Sequence, residues 1–228
     1  MTITEVGCCG VKPDLSIMDE TTPEGQTYLG VYKMLIVSPG GPHRMYLSVD
    51  LDEPSMVYGF FDWDSLEHHE NFAKTFGKDV QSDLAKVLTH GEYTKHITAT
   101  PSLPEALKSP VTDVFLVYFP SAISVAEKAT AATDLQKILN KGFGQHPKVT
   151  AIGYGWGVQN DFPVYGKDGG KVGSAFSAFV GWSSVEANTE FRGAGAHNTT
   201  RELIQSLDGV VKLKVLRLNC TVLEKMAE

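Results

Sequence analysis

The sequence predicts an α+β fold built from two related units, each following the order βαββαβ. The first observation is a repeated motif: Trp63-Asp64-Ser65-Leu66-Glu67 and Trp182-Ser183-Ser184-Val185-Glu186 lie 119 residues apart, and a phenylalanine follows each glutamate after five residues. The same offset pairs further apolar positions, Leu84 with Leu203 and Leu88 with Leu207. Similarity at a fixed offset over such a length indicates a tandem duplication.

The second observation is the order of strand and helix patterns in the C-terminal half. An apolar run between Pro110 and Pro120 has the length of a buried strand, and residues 124–139 combine good helix formers with apolar side chains at helical spacing. Two strands follow, joined by a glycine-rich loop at 165–170, and helices from about 184 and at 198–207 come next. The predicted strands are 113–119, 149–158, 173–182 and 210–219.

The N-terminal half fits the same template. Pro23 suits the first turn of a helix and Pro39-Gly40-Gly41 suits its end, so Pro23–Val37 is a predicted helix. Further helices are predicted at 65–76 and 79–88, and strands at 3–11, 44–51, 56–63 and 92–99. The two units are therefore residues 1–100 and 111–228, joined by a proline-rich linker at 101–110, with eight strands in all.

Composition excludes several classes of function. At 228 residues and 42% hydrophobic content, the chain can bury a full core. A net charge of −7 with scattered basic residues argues against nucleic acid as a partner. The N-terminus has no signal-peptide pattern and no long apolar run occurs, so we expect a cytoplasmic protein without a membrane partner. Cys8, Cys9 and Cys220 have neither a disulfide framework nor a zinc spacing, and we expect reduced thiols and no metal.

The repeated motif also has a structural interpretation. Asp64 and Ser183 each precede a glutamate by three residues, which is the spacing of a helix capping box. Trp63 and Trp182 would then anchor the corner between strand and helix by packing.

Two βαββαβ units that each carry this motif resemble the dimeric α/β-barrel superfamily. The pattern is most similar to its antibiotic-biosynthesis-monooxygenase-like and stress-responsive branches, in the fused form seen in fungi. This resemblance implies two ferredoxin-like halves that form one eight-stranded barrel within the chain. Members include cofactor-independent monooxygenases of anthrone-like compounds, polyketide cyclases, haem-degrading enzymes and proteins without known chemistry, so the fold does not fix the function.

The resemblance points to His197 as the catalytic residue. In plant-type cyclases a histidine lies eleven residues after the motif glutamate, which is His197 in the second unit and Lys78 in the first. A neutral imidazole can move a proton on a phenol or an enolisable carbon. The cooperating tyrosine of those cyclases falls at Phe191, which we count among the substrate-binding candidates. The alternative is a surface or helix-start histidine.

Other candidates for substrate binding are histidines and aromatic residues on predicted strands and helices. His69 lies on the inward stripe of its helix, where a hydrogen-bonded structural role is the alternative. His68 and His69 point in different directions and are not expected to share a metal ion. At the offset of 119 residues His96 corresponds to Val215, whose surroundings are apolar. A polar residue on a strand face that is apolar in the other unit could line a cavity. Aromatic surface on the central strands adds Tyr118, Tyr154 and Trp156, with ordinary core packing as the alternative.

We therefore predict a cofactor-independent enzyme of secondary metabolism that acts on an aromatic or polyketide-like hydrophobic molecule by cyclisation or a related acid–base rearrangement. The enzymatic alternative is a cofactor-less monooxygenase of a phenol or anthrone. A non-catalytic small-molecule-binding or stress-response protein is the alternative from another class. No phosphate-binding loop, dinucleotide fingerprint or metal-ligand cluster is found. We expect a monomer or a homodimer.

Overall fold

The structure, a computed structural model, describes residues 2–101, 103–164 and 170–225, except for the side chains of residues 77–79. The chain divides into two compact units. The first comprises Met1–Ile97 and the C-terminal residues from Cys220, and the second comprises Thr98–Asn219. Most of the predicted glycine-rich loop, residues 165–169, and the side chain of Lys78 lie outside the described part.

The helices and strands follow the predicted order closely. The first stretch contains β1 (Ile3–Val11), α1 (Pro23–Val37), β2 (Arg44–Val49), β3 (Met56–Trp63), α2 (Leu66–Leu84) and β4 (Leu88–Ala99). The second contains α3 (Leu103–Leu107), β5 (Val111–Pro120), α4 (Val125–Gly142), β6 (Val149–Gly157), β7 (Phe162–Pro163), β8 (Val172–Trp182), α5 (Val185–Gly193), α6 (Ala196–Gln205) and β9 (Lys212–Leu218). A last strand, β10 (Thr221–Glu224), ends the described chain.

Both units contain an antiparallel sheet with helices packed on it. In the first unit the strand order is β10-β2-β3-β1-β4, and in the second it is β6-β8-β5-β9 with β7 on β8. The central strands β1 and β5 are buried along almost their whole length, and helices cover one face of each sheet. Each unit therefore has its own apolar core between sheet and helices.

The registers of the two sheets correspond at the repeated tryptophans. Ile3 of β1 pairs with Trp63 of β3, and Val111 of β5 pairs with Trp182 of β8. Residues two positions further along β1 and β5 therefore occupy equivalent places, and both are acidic.

The predicted capping boxes at the motif are wrong. The helix N-caps are Ser65 and Ser184, whose hydroxyls accept from the backbone N–H groups of His68 and Ala187. The caps lie one residue later than predicted because both motifs carry a serine at this position, which leaves Asp64 free for other contacts. A complete capping box is formed instead at Ser124 of α4.

Other predicted boundaries also shift. α2 is one continuous helix, since Phe72, Phe76, Val80 and Leu84 keep one apolar face against the core. The predicted linker contains the buried helix α3, and the C-terminal strand pairs with β2 of the first unit. With β7 and β10 the described chain has ten strands rather than eight. Among the described residues, no helix is long and apolar enough to cross a membrane.

Candidate functional site

The first unit contains a cavity of about 250 Å³ between its sheet and helices α1 and α2. Glu5, Gly7 and Cys9 line it from β1, because alternate residues of a strand face the same side of a sheet. Most of the remaining wall is apolar and aromatic, and includes Tyr32, Phe61, Phe72 and Phe76. Glu5 is thus an acidic group in the wall of a mostly apolar cavity.

Two side chains contact the Glu5 carboxylate, and a third contacts one of these two. Trp63 Nε1–H donates to Glu5 Oε2 at 2.9 Å. His69 Nε2, on α2, lies 3.3 Å from the same oxygen. His69 Nδ1 in turn lies 2.8 Å from Nε2 of His96 on β4. The structure therefore brings His69 and His96 together, as a row that ends at Glu5.

One assignment of imidazole tautomers is consistent with the contacts along this row. An ionised carboxylate accepts but does not donate, so a neutral His69 with its proton on Nε2 presents a donor to Glu5 across the 3.3 Å between Nε2 and Oε2. Its Nδ1 then accepts from the Nε2–H of His96. The three imidazole nitrogens in these two contacts then have consistent roles without either imidazole being charged.

Burial dominates the electrostatics of the row. Desolvation raises the pKa of Glu5 to about 7, although the hydrogen bond from Trp63 acts in the opposite direction. Desolvation, with the neighbouring His96, lowers the pKa of His69 to about 4. Glu5 is 9% exposed and borders the cavity, so this carboxylate is both perturbed and reachable by a small molecule.

The second unit has an equivalent tryptophan–carboxylate pair, but the residues around its carboxylate differ. Trp182 Nε1–H donates to Asp113 Oδ2 at 3.0 Å, and Asn188 Nδ2 donates to the same oxygen at 2.6 Å. Arg192 Nε lies 3.9 Å from Asp113 Oδ1. Asp113 is 0% exposed, so the second carboxylate is enclosed by its partners whereas Glu5 faces a cavity.

The register corrects one comparison made from the sequence. His96 pairs with Glu5, and the residue that pairs with Asp113 on β9 is Arg217. The position equivalent to His96 is therefore Arg217 rather than Val215, because the two units do not keep one constant offset through their last strands.

Asp113 leads to a prediction about stability and pH. Burial raises the pKa of Asp113 from 3.8 to about 6, so its stabilising contribution is present below pH 4 and is lost as pH rises through 6. As pH rises from 4 to 7, the wild type should lose this stability and Asp113→Asn should not. The unfolding free energy of the variant should therefore rise by up to about 3 kcal/mol relative to wild type over this range. Urea unfolding across this range measures the difference. The surface variant Asp134→Asn is the matched control, and a constant difference for Asp113→Asn would contradict the assignment.

His197, the catalytic residue predicted from the sequence, lies on α6 in the second unit. It is 2% exposed and packs against Phe115, Phe143 and Phe191 at ring-centroid distances of 5.9–6.4 Å. Phe191 borders a cavity of about 400 Å³ next to His146, but His197 is not among the residues that line it.

The predicted aromatic candidates also lie in the second unit. Tyr118 is fully buried, Tyr154 stacks on Phe176 at 6.2 Å, and Trp156 packs on Phe119 at 5.3 Å under the ammonium group of Lys128. A third cavity, of about 430 Å³, lies near Phe119 and Leu207. None of the three cavities described here is lined by these three candidates.

Sequence reasoning missed Glu5 and Asp113. A signal was present, since each is an acidic residue within an apolar strand and each lies two residues after the partner of a repeated tryptophan. The signal was hidden because the first strands are offset by 108 residues, whereas the motifs are offset by 119.

Comparison with known proteins gives a fold. No family model matches the sequence, and no curated protein matches it. Among solved structures, an anthrone oxidase-like protein has a TM-score of 0.64 at 13% identity, covering 98% of this chain and 93% of that chain. A protein of Fusobacterium nucleatum described as a candidate monooxygenase has a TM-score of 0.61 at 12% identity, covering 98% and 94%.

A third similar structure is described as a candidate chlorite dismutase, with a TM-score of 0.56 at 10% identity, covering 96% of this chain and 94% of that chain. Together these likenesses show that the chain shares an α+β fold with these structures.

Proposed function

We propose that this protein is an enzyme that removes a proton from an activated carbon or phenol of a small aromatic or polyketide-like molecule. The first-unit cavity is the proposed binding site and Glu5 the proposed base. No bound cofactor is required for this step.

The observation that carries the proposal is the carboxylate of Glu5 in the cavity wall. A base is most effective when its pKa lies near the working pH, and burial raises the pKa of Glu5 to about 7. Trp63 and His69 position the carboxylate, and His96 positions His69. The enclosed Asp113 lacks such access to a cavity.

The cavity walls indicate the class of substrate. Aromatic side chains offer flat apolar surface, and at about 250 Å³ the cavity is slightly smaller than the roughly 300–1,000 Å³ of most ligand sites. Compact ring compounds therefore suit it better than large or charged molecules. A carbanion formed next to a ring would be delocalised into the ring.

Two reactions can follow the proton transfer. In monooxygenation, the carbanion of a ring methylene reacts with O₂; one oxygen atom becomes a carbonyl and the other leaves as water, so no external reductant is needed. In cyclisation, the carbanion forms a carbon–carbon bond with a carbonyl carbon of the same molecule, and the alkoxide formed takes up the proton that Glu5 removed. The likeness to an anthrone oxidase-like protein favours monooxygenation as the first reaction to test.

We also propose that the two units arose by tandem duplication. The equivalent pairs of Trp63 with Glu5 and Trp182 with Asp113 support it, because they share register, donor and acceptor. In this proposal the first copy kept access to its carboxylate and the second copy became structural.

The test of the function is oxygen consumption with anthrones and substituted phenols, followed by mass spectrometry of the products. We expect uptake of one O₂ per carbonyl formed, and a product with a new ring would favour cyclisation. Binding without turnover of any compound would favour the non-catalytic alternative.

His197 remains the competing prediction from the sequence, and it is tested in the same assay. Activity that survives in His197→Ala and is lost in Glu5→Gln supports the first-unit site. The reverse result supports His197 as the base in the second unit.

A further inference from the structure

Three polar side chains converge near the cavity of the first unit, outside the row that ends at Glu5. His43 precedes β2, Asp64 ends the corner after β3, and His68 lies in the first turn of α2. One ligand atom from each lies within 4.8 Å of the other two. His43 Nε2 is 2.8 Å from Asp64 Oδ1, and His68 Nδ1 is 3.3 Å from Asp64 Oδ2.

The hydrogen bond on the far side of His68 determines which atom faces the cluster. His68 Nε2 lies 2.8 Å from the carbonyl oxygen of Gly40, which can only accept, so Nε2 carries the proton. In the neutral imidazole, Nδ1 is then a lone pair, and it faces a carboxylate oxygen. Two acceptors that face each other repel unless a proton or a metal cation lies between them, and the exposed carboxylate of Asp64 can take either. A backbone carbonyl behind the outer nitrogen is also the usual support of a histidine that binds a metal.

We infer that His43, Asp64 and His68 form a binding site for a divalent first-row transition-metal ion such as Zn²⁺. Two imidazole nitrogens and one carboxylate are a ligand set that such ions accept, with water completing the coordination. Zinc ligands lie about 2.0–2.2 Å from the ion, so two of them can be at most about 4.2 Å apart. The two contacts with Asp64, at 2.8 and 3.3 Å, already meet this limit, and a pair at the 4.8 Å limit of the cluster has to come closer. His43 and Asp64, whose side chains are 48% and 65% exposed, have room to do so.

The site was not predicted from the sequence because its ligands come from three separate places in the chain. The sequence predicts that adjacent His68 and His69 do not share a metal ion, and in the structure His69 faces Glu5 whereas His68 faces Asp64. The partner of His68 is His43, which lies 25 residues earlier and follows no ligand spacing.

A bound ion would link two residues next to the cavity wall, His43 and Asp64, to α2, the helix that carries His69. Pro42 and Trp63 line the cavity and are the chain neighbours of His43 and Asp64. The Trp63 ring also lies 5.3 Å from His68 and 4.9 Å from His69. The ion would therefore fix the segment before β2 against the corner that positions Trp63.

The experiment uses the tag-free full-length chain, freed of metal with a chelator, and Zn²⁺ in isothermal titration calorimetry. We expect one Zn²⁺ per chain and a rise in Tm, because the ion binds the folded state. His43→Ala, Asp64→Asn and His68→Ala should each weaken Zn²⁺ binding by at least about 100-fold, while His90→Ala, at an exposed histidine of the same unit, should not change it.

Co²⁺ absorption provides a second readout that does not depend on affinity. The bound Co²⁺ should show ligand-field bands without a sulfur-to-metal charge-transfer band, since none of the three ligands is a cysteine. The inference is overturned if Zn²⁺ does not bind, if the three variants bind it as wild type does, or if the Co²⁺ spectrum shows thiolate ligation.

Discussion

Glu5→Gln should lower kcat by about 10² to 10⁴ while leaving the fold intact, because it removes the proposed base but keeps a side chain of the same shape. The introduced amide retains an oxygen that can accept from Trp63, so the cavity wall should persist. Steady-state kinetics with the best substrate from the oxygen-uptake screen measures the loss. KM should change little, since the aromatic walls provide most of the binding.

The pH dependence of kcat/KM gives an independent check. Since the base must be ionised, wild-type kcat/KM should rise with pH and level off above about 7. The groups that face Glu5 are His69 on α2, His96 on β4 and Tyr32 on α1, and each remains in the variant. Glu5→Asp keeps a carboxylate and should recover part of the rate, whereas Glu5→Gln should lose the rise.

Loss of activity through unfolding can be separated from loss of the base. The raised pKa means that stability from Glu5 is present below pH 4.5 and is lost as pH rises through about 7, so Glu5→Gln should be no less stable than wild type at pH 8. Asp113→Asn is the matched control, because it makes the same chemical change at the equivalent carboxylate. Equal losses in both variants, or full activity in Glu5→Gln, would remove Glu5 from the mechanism.

The sequence predicted most strands and helices because their signals are local. Apolar strands bounded by prolines, and helices with alanine-rich or amphipathic faces, are recognisable within a short window. Pro23–Val37 is confirmed as predicted, and β1 and β3 match residues 3–11 and 56–63. The capping boxes failed by one residue because serines at 65 and 184 compete with their neighbours for the cap, and spacing alone does not decide between them.

The candidate site was less predictable because it depends on pairing between distant strands. Glu5 meets Trp63 through strand register and meets His69 through the packing of α2 on the sheet, and neither contact follows from spacing. The family resemblance predicts His197, because it assigns a role to a residue by its sequence distance from the motif alone. Which carboxylate faces a cavity and which is enclosed depends on side-chain packing, where Glu5 and Asp113 differ although their strand positions are equivalent.

Gly155→Ala should destabilise the second unit by about 3 kcal/mol or more, because a methyl group at this position would overlap backbone rather than a movable side chain. A Cβ at Gly155 would collide with the carbonyl of Thr98. That segment is held against β6 by hydrogen bonds from Thr100 N–H to Tyr154 O at 3.0 Å and from Tyr154 N–H to Thr100 Oγ1 at 3.1 Å. The methyl group can therefore be accommodated only if these hydrogen bonds are strained or broken.

Gly30→Ala is the matched control for this substitution. Gly30 lies in the middle of α1, and a Cβ there meets no atom within 4 Å, so alanine should stabilise the helix by up to about 1 kcal/mol. Thermal and urea unfolding of the two variants should thus shift in opposite directions. A Gly155→Ala protein as stable as wild type would mean that residues 98–100 do not approach β6 as closely as described.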